Sequence, residues 1–512
     1  MRNYTGNGLL VFVSVLLCAG VAEIATRIVD GLPLFSLNLP VPIATKGIDT
    51  TAAHLERLPQ PAGVARELFH SEPPPLPNRT RPPQAWIELH RRIRKNAEAE
   101  HPRNTFKGWD MFKAWNAVLV GDPCKHEYFS KAPGRLFLYD PPDGKPRPNF
   151  RFLPNATSPD GLVTNAFGWR GPPVPFARSP RTVRIVFVGA STTAEIHNFP
   201  YSVPEHVGHW LNKWATGREM DVRFEVLNAG RESIGSTEIA TVVRQEVAPM
   251  RPDLVVYYEG GNQFFLSTVV RNVPKGVARP DGVLAGWLRD AGHYSALARR
   301  AAALTGGSEW PKPDYEVELP TGLDEFDPDI TRPDLPVNMS TILRDLDSIR
   351  HDLAEVDGEF AVASFHWLAK DGLELNAVRH KPLLEHLNTG FYPFRYRDLE
   401  RFTVFENRVF AKYAEANGLP FVDVARYMPH DPDLFSDAIH NTAPGVRLRA
   451  WIVFTQLLPI IEKRLASGAW PKPVPAMDDV HPAFMTPPRE ITFDCKAPSV
   501  PALGGVTAGN VN

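Results

Sequence analysis

The chain has 512 residues, 43% of them hydrophobic and 22% charged, and 56 Lys and Arg against 58 Asp and Glu leave a net charge of −2. These values exclude a wholly disordered chain, a polytopic membrane protein and a globally basic nucleic-acid binder, while the length allows one large core with appendages. Three cysteines, Cys18, Cys124 and Cys495, are too few for a disulfide scaffold or a thiolate metal cage.

At the amino terminus an uncharged apolar run, Gly8–Ala22, follows a single Arg2, and carried past Glu23 to Ile28 it reaches membrane-spanning length. The run reads as an uncleaved single-pass anchor. The alternative is a cleaved secretory signal, for which Ala19 and Ala22 supply small residues at a processing site. Bulky Leu17 argues against a lipoprotein site at Cys18. Either reading places the rest of the chain outside the cytoplasm, on the periplasmic side, because no second run of comparable length follows. In that oxidising setting Cys124 and Cys495 either pair or remain two buried thiols.

Proline, 51 of 512 residues, is about twice its usual frequency and clusters at 59–83, 141–154, 311–336 and beyond 471, none of which can hold a helix or a central strand. Residues 31–100 therefore read as a Pro-rich tether with one charged, solvated helix over Trp86–Glu100. Residues 101–180 form a lead-in or cap segment whose aromatics (Trp109, Phe112, Trp115, Phe129, Phe137) pack as an added β-rich cap in preference to contacting a glycan, and 468–512 a Pro-rich tail. From Val183 the pattern changes to strand and helix in alternation. Strands are predicted at Val183–Val188, Val222–Leu227, Leu254–Tyr258, Phe360–Phe365 and Pro420–Val424. Helices are predicted at Val203–Ala215, Ile239–Val247, Ile342–Val356, Leu399–Ala416 and Pro444–Leu465, with an irregular insertion at 265–337. Such alternation implies an α/β domain over 181–467, a parallel sheet covered on both faces.

Ligands of open parallel sheets bind beyond the carboxyl ends of the strands. There the sequence places Gly189-Ala190-Ser191-Thr192-Thr193 after the first strand, Asn228-Ala229-Gly230 after the second, Gly260-Gly261-Asn262 after the third, and Asp437-Ala438-Ile439-His440 after the fifth. Each motif alone is ordinary turn material. Their order and shared edge are what point to chemistry. No dinucleotide- or phosphate-binding glycine run occurs, the scattered His and carboxylates suggest no metal site, and no cofactor is expected.

In these four blocks the chain resembles the SGNH (GDSL-like) hydrolases over roughly Val183–Leu465, with Ala190 where the GDSL pattern has Asp and Gln263 where Asp often follows Asn. Thr164–Gly171 (TNAFGWRG) is similar to a lead-in segment of exported, membrane-anchored bacterial members; a turn that fixes a strand edge explains it equally well. The resemblance implies a five-stranded sheet in flavodoxin-like order, Ser191 as nucleophile, His440 as base and Asp437 as its orienting carboxylate. It also implies an oxyanion hole from the N–H groups of Ser191 and Gly230 and the Asn262 amide. Arg231, His366 and His197 are candidate substrate contacts, and Glu195 is a candidate pocket wall. The implied activity is that of a serine esterase acting on an O-acyl group of an extracytoplasmic glycan or lipid. An O-acyltransferase with the same triad and a non-catalytic envelope binding module are the alternatives.

Overall fold

A computed structural model describes residues 2–39, 49–76, 88, 134–138, 489–493 and a body from 152 to 473 without 153, 156, 158–161, 196–199, 266–267, 271–286, 289–290, 305–308 and 377–378. Five strands form one all-parallel sheet: β1 (Thr182–Gly189), β2 (Arg223–Asn228), β3 (Leu254–Tyr258), β4 (Glu359–Ala363) and β5 (Phe421–Val422). Their order is β2-β1-β3-β4-β5, the flavodoxin-like order. Strands β1 and β3 are central and every residue in them is buried, which is why both read as apolar runs without alternation. The charge within β1, Arg184, is held by Glu225 on β2 at 2.8 Å and by the carbonyls of Pro175, Phe176 and Met250. A buried guanidinium tolerates that position only with its donors used.

The helices that cover the sheet are α3 (Val203–Gly217), α4 (Ser236–Val242), α6 (Met339–Ala354), α7 (Tyr396–Ala416) and α8 (Ala443–Ala466). Helix α3 packs on α8, while α4 and α7 pack on α6, so the sheet lies between two helical layers. A capping box starts α3: the Ser202 N–H donates to Glu205 at 2.7 Å. These elements fall within a few residues of the positions predicted from periodicity. The fifth strand shrinks to two residues, and the second helix ends in a π-helical turn, Val243–Val247.

Three segments differ from expectation. Part of the predicted tether is core: Phe69 is fully buried, stacked 6.1 Å from Trp210 of α3 and edge-on 5.7 Å from Trp451 of α8, and Leu55, Leu58 and Val64 are buried with it. The insertion contains a helix, α5 (Ala296–Leu304), whose Ala-rich sequence favours that state. In the tail, Arg489–Phe493 pairs antiparallel with Gly134–Leu138, so the cap segment and the tail share a two-stranded sheet. Cys124, Cys495 and, apart from Glu88, the stretch Trp86–Glu100 lie outside the described residues.

The first helix is α1 (Arg2–Val29), with α2 (Ser191–Ala194) next among the labelled helices. Within α1, Leu10–Val29 is long and apolar enough to cross a membrane, a property that signal sequences share.

Candidate active site

Strand β1 ends on Gly189, and the chain turns at once into the single-turn helix α2, which Ser191 opens. Only glycine fits at 189, because a Cβ there would collide with the carbonyl oxygen of Tyr258 and the hydroxyl of Thr193. Thr193 ties α2 back to the sheet by donating its hydroxyl to that same carbonyl at 3.0 Å. The turn ends at Glu195 in left-handed geometry, φ 52°. The Glu195 carboxylate is buried and ion-paired with Arg449 of α8, which also donates to the Thr192 carbonyl at 2.6 Å. Burial lowers the Arg449 pKa to about 9. Glu195, fully buried, thus braces the turn that carries Ser191 and does not wall a pocket.

The partner of Ser191 arrives from the opposite end of the domain. His440 Nε2 lies 2.8 Å from Ser191 Oγ, and His440 Nδ1 lies 2.6 Å from Asp437 Oδ2. The other oxygen of Asp437 accepts the N–H groups of Ile439 at 2.9 Å and His440 at 2.8 Å. One carboxylate therefore closes its own loop and orients the imidazole. With Nδ1–H donating to the carboxylate, Nε2 presents its lone pair to the serine hydroxyl. Burial alone would raise the Asp437 carboxyl, but the neighbouring imidazole holds it well below the usual carboxylate range. Burial alone would lower His440, but Asp437, with smaller contributions from Glu232 and Glu259, raises it above 6.5.

The expected oxyanion hole is only partly available. Ser191 opens α2, so its N–H has no intrahelical partner. Asn262 is exposed and uses one amide hydrogen on the Ile234 carbonyl at 3.0 Å, which leaves the other. The Gly230 N–H instead donates to the Asn228 side chain at 3.0 Å, and Asn228 donates in turn to the Thr193 carbonyl at 2.7 Å. Glycine is required at 230 because a Cβ there would lie 2.5 Å from the Ala194 nitrogen, against the turn that carries Ser191. Gly230→Ala should therefore push α2 away from β2. We expect a stability loss of about 1–3 kcal/mol, read by thermal unfolding, together with slower acylation of Ser191.

The other candidate contacts are displaced from the chemistry. Arg231 is buried and gripped by both oxygens of Glu246, so its charge is used inside the fold. His366 is buried with its ring 4.7 Å from that of His430 and 5.5 Å from Phe435; burial holds it well below its ordinary pKa, a packing role in place of a substrate contact. The preceding Phe365 lies instead against Gly260 and Gly261, since neighbouring residues leave an extended segment on opposite sides. His197 lies outside the described residues.

Several residues at the site carried no motif. Glu259, just before Gly260, accepts the Asn262 N–H at 2.7 Å and also the N–H groups of Gly261 and Ala190, joining the third block to the nucleophile block. Burial pushes Glu259 up to about 7, and burial together with Glu259 pushes Glu406 of α7 well above the carboxylate range. His386, opening a π-helical turn (His386–Gly390), accepts the Ala438 N–H at 3.1 Å and lies 4.0 Å from Asp437. The lead-in segment folds as a turn: Asn165 accepts the N–H groups of Phe167 at 2.9 Å and Trp169 at 3.1 Å. It delivers Arg170 to Glu205 at 3.0 Å and to the carbonyls of Ala194 and Glu195 at the end of α2. Among the described residues no group of three His, Cys, Asp or Glu side chains is placed to hold a metal.

No family model matches the chain, and no curated protein matches it in sequence. Among solved structures it is similar to a GDSL-like lipase from Bacteroides thetaiotaomicron, at 14% identity over 55% of this chain and 88% of that one, with a TM-score of 0.27. It is also similar to a lipase/acylhydrolase from Enterococcus faecalis, at 15% identity over 54% and 96%, with a TM-score of 0.29. A variant of an acetyl xylan esterase from Geobacillus stearothermophilus is similar at 13% identity over 55% and 97%, with a TM-score of 0.31.

Proposed function

We propose that the protein is a serine esterase of the SGNH (GDSL-like) type, anchored in a membrane by α1, that removes O-acyl groups from an extracytoplasmic glycan or lipid. The observation that carries the chemistry is the continuous chain Asp437–His440–Ser191, with links of 2.6 and 2.8 Å. Ser191 Oγ attacks the ester carbonyl carbon as its proton passes to His440 Nε2. The Ser191 N–H and the free hydrogen of the Asn262 amide receive the developing oxyanion. The imidazolium then protonates the departing alkoxide oxygen, leaving an acyl-Ser191 ester. Water attacks that ester, gives its proton to His440, and releases the acid with Ser191 restored. For the location, support comes from the apolar, exposed length of Leu10–Val29 at the chain's start.

Labelling of the full chain with a fluorophosphonate probe tests the chemistry. We expect one covalent adduct, at Ser191, and none in Ser191→Ala with an unchanged circular dichroism spectrum. A folded wild-type chain that takes up no probe, or a Ser191→Ala chain that still does, would overturn the assignment.

A further inference from the structure

We propose that the loop 33–38, Trp287 and the first turn of α5 form a collar seated in the lipid headgroup layer, so that the body is docked on the bilayer as well as tethered to it. The inference rests on the reading of α1 as an anchor and concerns a surface that the esterase chemistry does not use.

The argument begins with length. Leu10–Val29 is 20 residues, about 30 Å of helix, which matches the hydrocarbon core of a bilayer. Ending the lipid-facing part at Ala22, before the first charge at Glu23, would leave only about 20 Å. The last two turns must therefore also lie at membrane depth, and Ile24, Ile28 and Val29 are indeed exposed there. Those same turns are where α1 is fastened to the insertion.

The fastening pairs the charges in its path. Glu23 accepts the Ser295 hydroxyl at 2.7 Å and the N–H groups of Ala296 at 2.8 Å and Leu297 at 2.9 Å, and pairs with Arg27 at 2.6 Å. Arg27 donates to the carbonyls of Pro33 at 3.0 Å, Leu34 at 3.1 Å, Ser36 at 2.8 Å and Tyr294 at 2.8 Å. Asp30 pairs with Arg300 at 2.5 Å. Charged groups and irregular backbone are tolerated at membrane depth only when satisfied in this way within the protein. What the arrangement leaves facing outward is mainly apolar and aromatic, with the Asp30–Arg300 pair and Asn38 also exposed at its margin. Phe35 is 100% exposed, and Leu34, Leu37, Tyr294 and Leu297 are exposed as well, as is Trp287, at 64%, on the segment that leads into Tyr294. Trp and Tyr next to a span are typical of the membrane–water interface. Continuity of this surface with the span selects a bilayer as its occupant.

The test places the photo-cross-linker p-benzoylphenylalanine, one position at a time, in the full chain reconstituted in nanodiscs of phosphatidylcholine and phosphatidylglycerol. The positions are Phe35 and Trp287 in the collar, Leu16 in the span and Phe326, 70% exposed, as a distant control. After irradiation, mass spectrometry is expected to find lipid adducts at Leu16, Phe35 and Trp287, at least tenfold above those at Phe326. Adducts at Leu16 with Phe35 and Trp287 no higher than Phe326, or cross-links from the collar to a second copy of the chain, would overturn the collar and leave the anchor standing. Absence of lipid adducts at Leu16 as well would overturn both.

Discussion

Replacing His440 with alanine is expected to lower acetate release from a peracetylated sugar by roughly four to six orders of magnitude while leaving the thermal unfolding midpoint within a few degrees of wild type. His440 is the group within reach of the Ser191 hydroxyl that has a lone pair directed at it, and without it the alcohol must lose its proton to water. Its removal opens a gap at the sheet edge without emptying a core layer, so the fold should persist. The pH profile carries the same assignment. A base acts only when neutral, and Asp437 raises the His440 pKa, so kcat/KM should fall about tenfold per pH unit below a midpoint above 6.5. An acid limb centred below 6.5, or one that survives in the alanine variant, would remove His440 as the base.

The second large effect is expected at Asp437. Asp437→Asn keeps an oxygen for the N–H groups of Ile439 and His440, so the loop can stay closed. It also turns an N–H donor toward His440 Nδ1, which then has to accept. The ring's proton moves to Nε2, where it faces Ser191 with no lone pair to offer. A loss of about 10⁴-fold in turnover with near-native stability follows from that exchange. Asp437→Ala should be similarly slow but also less stable, because the two backbone N–H groups lose their acceptor in a half-buried loop. Equal stability of the two variants in chemical denaturation would show that the carboxylate's structural task has been overstated.

Much of this arrangement is legible in the sequence. Central strands such as Val183–Val188, apolar but for Arg184, and Leu254–Tyr258 stand out as apolar runs, and the residues that follow them sit where open parallel sheets place their chemistry. That placement, together with the resemblance to the SGNH hydrolases, singles out Ser191, Asp437 and His440, and the structure brings the three into contact. What was hidden has a common physical character. Arg170, Arg231 and Arg449 look like surface charges in sequence, yet each is buried against a carboxylate that lies elsewhere in the chain, Glu205, Glu246 and Glu195. Pairing of this kind leaves no periodic signal. The Gly230 N–H was misread because its acceptor, the Asn228 side chain, lies two positions away in a turn whose shape the residue types alone do not set. Phe69 was misread because proline neighbours mark irregular backbone, and irregular backbone can still carry an aromatic ring into a groove between helices.

The way the acid and the base share one tetrapeptide, Asp437–His440, has a mechanical corollary. Since Asp437 clasps the amides of Ile439 and His440, this piece behaves as a cartridge, and a displacement carries both functional groups together. Alignment then reduces to a single gap, from the cartridge to the tip of β1. A displacement of the piece should therefore break the His440–Ser191 contact while the Asp437–His440 contact persists.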